Sequence, residues 1–226
     1  MRYLIFLSLF FYLANWRLVH NWFRKEEQSS NVLANKVVDH RIHNFIYKMT
    51  GVKLDHVYIA PSKALFAFCG GVTRKPILVI SRGAYEKFKE NALEWLLLHE
   101  VGHYVLGHTM GMVLVETSYA IVGWLILTVI DNTMLLIILS PVLAVLLAIA
   151  TIQTNKRFDV QANEFAVKKM KHPIGMKEGA LLLMQQAQDS GIMHDTILMK
   201  LFYPWNYGMW NRTIKDAEKE IKRRTQ

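Results

Sequence analysis

From Asn132 to Asn155 the chain carries no charged side chain. A helix needs about 20 predominantly apolar residues to cross a bilayer, so "TMLLIILSPVLAVLLAIATIQT" predicts a transmembrane helix. The stretch before it, "GMVLVETSYAIVGWLILTVI", is nearly as apolar and is broken only by Glu116. Asp131 and Asn132 separate the two runs, leaving room only for a short turn. A transmembrane hairpin over residues 110–153 is therefore expected. It constrains everything around it, because the chain entering the hairpin and the chain leaving it must lie on one membrane face.

A third apolar run, "MRYLIFLSLFFYLANW", opens the sequence. No small-x-small cleavage site follows it, and Trp16, Arg17 and Trp22 suit a membrane interface, so residues 1–24 read as an uncleaved anchor. Arg17, Arg24 and Lys25 follow this run with only Arg2 before it, and Lys156 and Arg157 follow the hairpin, whose turn has no basic residue. Basic flanks stay inside, which predicts a multi-pass membrane protein with its hydrophilic segments in the cytoplasm. The net charge of +9 suits a surface facing anionic lipid. Its basic residues are scattered and no nucleic-acid module is visible, so lipid rather than nucleic acid is the expected partner. The single cysteine, Cys69, permits no internal disulfide, as in a reducing compartment.

The remainder, residues 30–226, reads as one α+β domain, mainly α, interrupted by the hairpin. Apolar residues at helical spacing run from Val32 to Met49, and Gly51 follows as a C-cap. "DHVYIAP", "ALFAFCGG" and "PILVIS" have strand character and predict a small sheet. Asn91 with Glu94 three residues on resembles a capping box that starts a helix. Downstream, "RFDVQANEFAVKKM", "MKEGALLLMQQAQDS" and "RTIKDAEKEIKRR" read as helices, the last with a solvated or lipid-facing basic end at Lys222 to Arg224.

The helix after Asn91 carries "LLLHEVGHYVLGH". His99 and His103, four apart, project together from a helix and can share one zinc ion, with Glu100 beside them as base for an attacking water. A catalytic zinc takes three protein ligands, and the third must come from elsewhere. Thr109 stands where a metzincin would place a histidine, and His108 falls about 140° round a continuous helix from His103, which assigns it to packing. Asp159 in "KRFDVQANEFA" is the preferred distant ligand, because the hairpin returns it to the same face; Glu164 is its rival. His40 and His43 lack a third partner, and Glu116 lies far round the helix from His103.

These segments together resemble the HtpX and type I CaaX prenyl protease family of membrane zinc metallopeptidases. The resemblance lies in "PILVISRGAYEKFKENALEWLLLHEVGHYVLGH", the hairpin behind it, and "RFDVQANEFA", and it covers roughly residues 30 to 170. It implies a zincin-like peptidase domain that binds one zinc per chain. His99, His103 and Asp159 would be the ligands, with Asp159 in the place of the family's glutamate. Glu100 would be the base, and Asn163 would take the place of an aspartate that supports a ligand histidine. "ALFAFCGG" is similar to the family's substrate-binding edge strand, which marks Ala64, Leu65, Phe66 and Ala67. The family's C-terminal His-Pro has no counterpart at the right distance, leaving Tyr203, Tyr207 and Arg212 as candidates to steady an oxyanion. The implied activity is endoproteolysis of membrane-associated or unfolded proteins and peptides at the cytoplasmic membrane face. Two readings compete with it: an intramembrane site-2-type protease, and a family member with weakened catalysis that serves as a membrane sensor or scaffold.

Overall fold

The computed structural model describes residues 40–70, 75–129, 133–189 and 204–226. The expected anchor at residues 1–24 lies outside these. Helix α1, His40–Thr50, buries Ile42 and Ile46, one turn apart on the same face. It ends at Gly51, whose φ of 75° lets its N–H bond to the Tyr47 carbonyl at 2.9 Å, a closure that a side chain would strain.

Three strands follow: β1 (Val57–Ala60), β2 (Ala67–Gly70) and β3 (Ile77–Ser81). They order as β1-β3-β2, with β1 parallel and β2 antiparallel to β3. The apolar run of β3 suits its central place, and everything from Leu78 to Ser81 is buried. Half-burial by alternation appears instead in β1, where Val57 and Ile59 face inward. Ser81 closes β3 and caps α2 (Arg82–Lys87), its hydroxyl accepting from the Ala84 N–H at 3.1 Å.

Helix α3, Glu90–Val105, is the centre of the molecule. It starts one residue before the capping box expected from sequence, with Lys89 at the cap and no side-chain cap bond. Glu94 instead accepts from the Lys171 N–H at 3.2 Å, so a tertiary contact replaces the local one. Trp95, Leu96, Leu97, Leu98 and Val101 are all buried, as expected of a helix that is apolar nearly all round. Strand β2 covers one side, and helices α5 (Thr133–Lys169) and α6 (Ile174–Asp189) cover others. Small residues permit this crowding. A Cβ on Gly102 would stand 3.0 Å from Phe165 and 3.4 Å from the Ala162 carbonyl of α5, and one on Gly179 of α6 would collide with Trp95 at 2.3 Å.

The helix ends at Gly107, which takes φ 70° and donates to the Tyr104 carbonyl at 3.1 Å. Helix α4, His108–Val129, then departs at 52° to α3, so the continuous helix expected through His108 is broken. Helix α4 packs along α5, which runs unbroken from the apolar stretch through "RFDVQANEFA". Among the described residues no single helix is long and apolar enough to cross a membrane, although the bent pair of α3 and α4 is so by length and composition. Both α4 and the first part of α5 leave large apolar side chains exposed, among them Leu114, Ile121, Val145 and Leu146.

The last helix, α7 (Pro204–Thr225), packs on α6 and α5. Its basic end is not merely solvated. Arg224 donates to the carbonyls of Val167 at 2.6 Å, Met170 at 3.0 Å and Lys171 at 3.3 Å, satisfying acceptors that the end of α5 would otherwise leave open. Glu220 holds that guanidinium in turn, accepting from Arg224 Nε at 2.8 Å. Bonds to Arg223 and Arg224 bring the Glu220 carboxyl down to about 2.

Candidate metal centre

The close crossing of α3 and α5 sets two turns of α3 against one segment of α5. His99 and His103 project from the first and Asp159 and Asn163 from the second. His103 Nε2 lies 3.1 Å from His99 Nε2 and 3.2 Å from an Asp159 oxygen. One ligand atom from each of these three residues falls within 4.8 Å of the others. Neighbouring ligands on a tetrahedral zinc at about 2.0–2.1 Å stand roughly 3.3 Å apart, so the observed separations fit such an ion.

The far nitrogens of both rings are engaged. Asn163 Oδ1 sits 2.9 Å from His99 Nδ1 and also accepts from Trp95 Nε1–H at 3.1 Å. The Asn163 amide nitrogen donates to Thr213 of α7 at 3.2 Å, fixing which way the amide faces. With its oxygen toward His99, Asn163 accepts from Nδ1–H, so that neutral His99 turns a bare Nε2 toward the other two residues. Burial above all, and then the neighbouring His103, lower His99 to about 4, so it is neutral near pH 7, as a ligand must be.

Glu100 follows His99 on α3. Burial, and secondarily the Asp159 carboxylate, push it up to about 8. A divalent cation held between His99, His103 and Asp159 would oppose that shift. Cys69 of β2 lies close enough to feel Glu100; burial first and that carboxylate second raise its thiol to about 12. Strand β2 therefore flanks the acid and metal-binding groups.

The other expected site residues are placed differently. Ala67 begins β2, whereas Ala64, Leu65 and Phe66 precede it, and their N–H groups bond to Ser62, Gln186 and Ser81 respectively. The edge strand available is Ala67–Gly70, displaced toward its C-terminus from the expected residues. Arg212 is exposed and faces Asp216 at 3.6 Å. Tyr203 and the Tyr207 side chain lie outside the described residues. Glu164, the rival ligand, is exposed and belongs to no cluster of three metal-binding side chains among the described residues. His40 and His43 belong to no such cluster either.

Sequence spacing gave no sign of His108 at this centre. It is 4% exposed, its ring stacks on Phe158 with centroids 4.2 Å apart, and its Nδ1 lies 3.0 Å from His103 Nδ1. The bend at Gly107 brings it back, cancelling the 140° that a straight helix would impose. Trp95 and Thr213 were also not anticipated, since their roles depend on where α7 and Asn163 meet.

The crystal structure of S. mikatae Ste24p superposes with a TM-score of 0.65 at 14% identity, covering 92% of this chain and 58% of that one. Protease HtpX of Pseudomonas fluorescens (strain Pf0-1) is 34% identical over 67 residues, 29% of this chain and 23% of that protein. The chain thus matches only part of either relative's length. The family-level match is much longer, spanning residues 32–204 and so taking in the paired histidines, Asp159 and both long helices. On that extent of match the chain belongs to peptidase family M48.

Proposed function

We propose that the protein is a membrane-embedded zinc endopeptidase, with His99, His103 and Asp159 holding one zinc ion and Glu100 acting as general base. The convergence of the two Nε2 atoms and the Asp159 oxygen carries this proposal. Bound there, zinc would supply Lewis acidity toward water and the scissile carbonyl. Glu100 takes the proton of the attacking water and delivers it to the departing amine. Its enclosure suits that task, because a carboxylate held away from bulk water is a stronger base than an exposed one. Asn163 orients His99, and the edge of β2 offers backbone groups along which an extended peptide could pair.

The substrates proposed are membrane-associated or unfolded polypeptides, cut at the cytoplasmic face. Support for the membrane hairpin comes from the uncharged run to Asn155 and from the exposed apolar side chains of α4 and α5. The apolarity of α3 and α4 taken together favours a second reading, in which the histidines lie within the membrane. Against it, the sides of α3 are covered by β2, α5 and α6 rather than open to lipid.

Glu100→Gln should keep stoichiometric zinc and abolish cleavage of an unfolded protein in detergent, whereas Asp159→Ala should lose both and Glu164→Ala neither. Wild-type turnover by Glu100→Gln would remove the base from the mechanism. Cleavage restricted to transmembrane peptides would favour the intramembrane reading.

A further inference from the structure

His108 and Gln161 form a second polar path to the centre, on the side opposite Asn163. Gln161 Oε1 lies 2.9 Å from His108 Nε2. With the Gln161 amide oxygen turned toward it, His108 Nε2 carries the proton and its Nδ1 presents a lone pair. That Nδ1 stands 3.0 Å from His103 Nδ1, and two imidazole nitrogens at this distance share a single proton. The proton therefore belongs to His103 Nδ1, which turns His103 Nε2 toward His99 and Asp159 as the nitrogen that would meet a metal ion.

We infer that His108 and Gln161 are positioning residues that fix the tautomer and aim of His103 for metal binding. Three local features build the path. The left-handed turn at Gly107 swings His108 back over His103. Gly111 leaves space for Phe158, since a Cβ there would meet that ring at 2.9 Å. Phe158 then stacks on His108 with only 6° between the planes, holding the imidazole edge toward His103. The two metal-binding histidines are thus oriented by two neutral amides, one direct and one relayed. Metal-bound histidines nearly always have such a partner on the remaining nitrogen, and its loss typically costs about 10–100-fold in affinity.

This inference rests on His103 being a ligand, and the test separates the two ideas. Full-length protein with 15N-labelled histidine is stripped of metal. Long-range proton–nitrogen correlation then reads the His103 tautomer, and zinc titration reads the affinity. Wild type should show His103 protonated at Nδ1. His108→Phe keeps a ring to stack on Phe158 but removes the acceptor; it should give mixed His103 tautomers and zinc affinity about 10–100-fold weaker. Gln161→Leu, a change at an exposed position, should act in the same direction and serves if His108→Phe does not fold. Gln161→Glu, which keeps an acceptor oxygen, should retain the wild-type tautomer. Unchanged tautomer and zinc affinity in His108→Phe, or in Gln161→Leu, would overturn the relay and leave His108 a packing residue. A His103 Nδ1 without a proton in the wild type would overturn it as well. Full zinc affinity in His103→Ala would instead remove the ligand assignment on which the relay depends.

Discussion

One helix, α5, has two halves that could belong to different proteins. Its first half is uncharged through Asn155 and exposes Val145 and Leu146 by more than half their surface. The second half buries Ala162 and Ala166 completely and places Asp159 and Asn163 against α3. Backbone geometry is the same throughout; side-chain size and environment differ. Large apolar groups without protein cover suit a hydrocarbon solvent, whereas small residues let a second helix come close enough to bring four polar groups together. On the proposed function, a single rigid element would couple a membrane-embedded half to a metal centre.

The sharpest way to break that contrast is a charge in the apolar half. Leu146→Lys should raise the cost of membrane insertion by about 3–4 kcal/mol, as for a leucine replaced by lysine at the centre of a span. A glycosylation-based insertion assay measures it, and unchanged insertion would show that this half does not lie in lipid. In the packed half, Ala162→Leu should overpack the crossing at Gly102, costing about 1–3 kcal/mol and weakening metal binding. Equal melting midpoints for this variant and the wild type would mean the helices have room to part.

A smaller effect concerns acidity. Glu100 keeps its proton up to about 8 in the fold, against an ordinary value of 4.5, so the native state binds more protons than the unfolded chain between these limits. Stability contributed by this group is lost as pH rises through that window. Metal-free protein should accordingly melt at a lower temperature at pH 9 than at pH 7.5, above the range in which His99 is substantially protonated in the unfolded chain. Glu100→Gln should flatten the difference, and an unchanged slope would place its origin elsewhere. The smallest expected effect is at the end of α5, where Arg224→Ala should cost about 1 kcal/mol by exposing carbonyls at a helix terminus. Arg223→Ala, at a far more exposed guanidinium, should change the midpoint less; the reverse order would unseat Arg224 as the cap.

The three strands and the spacing of His99, Glu100 and His103 were legible in the sequence because they rest on local periodicity. The distant partner Asp159 was legible too, since a hairpin must return the chain to its starting face and the motif around it resembled a known family. Features that depend on tertiary contact were not. Asn91 has the composition of a cap, but Glu94 is drawn to Lys171 and the helix starts elsewhere. His108 was projected along a straight helix, although Gly107 was the residue that should have signalled the bend. Arg224 looked solvated because nothing local reveals that the end of α5 lies within its reach. The assigned edge strand began three residues early, where the backbone N–H groups already have partners.

The amide at position 163 has a consequence for charge balance. His99 is neutral near pH 7, and a ligand imidazole at His103 is neutral as well, so only Asp159 and Glu100 contribute formal charge to the enclosure. One dication cancels those two units. An aspartate in place of Asn163 would leave a net negative unit in a confined space, where an uncompensated ion costs several kcal/mol. Without the cation Glu100 retains its proton to about 8, which removes one of the two negative units. Asn163 thus leaves the pocket electroneutral with a dication bound and one unit negative, on Asp159, when Glu100 carries a proton instead.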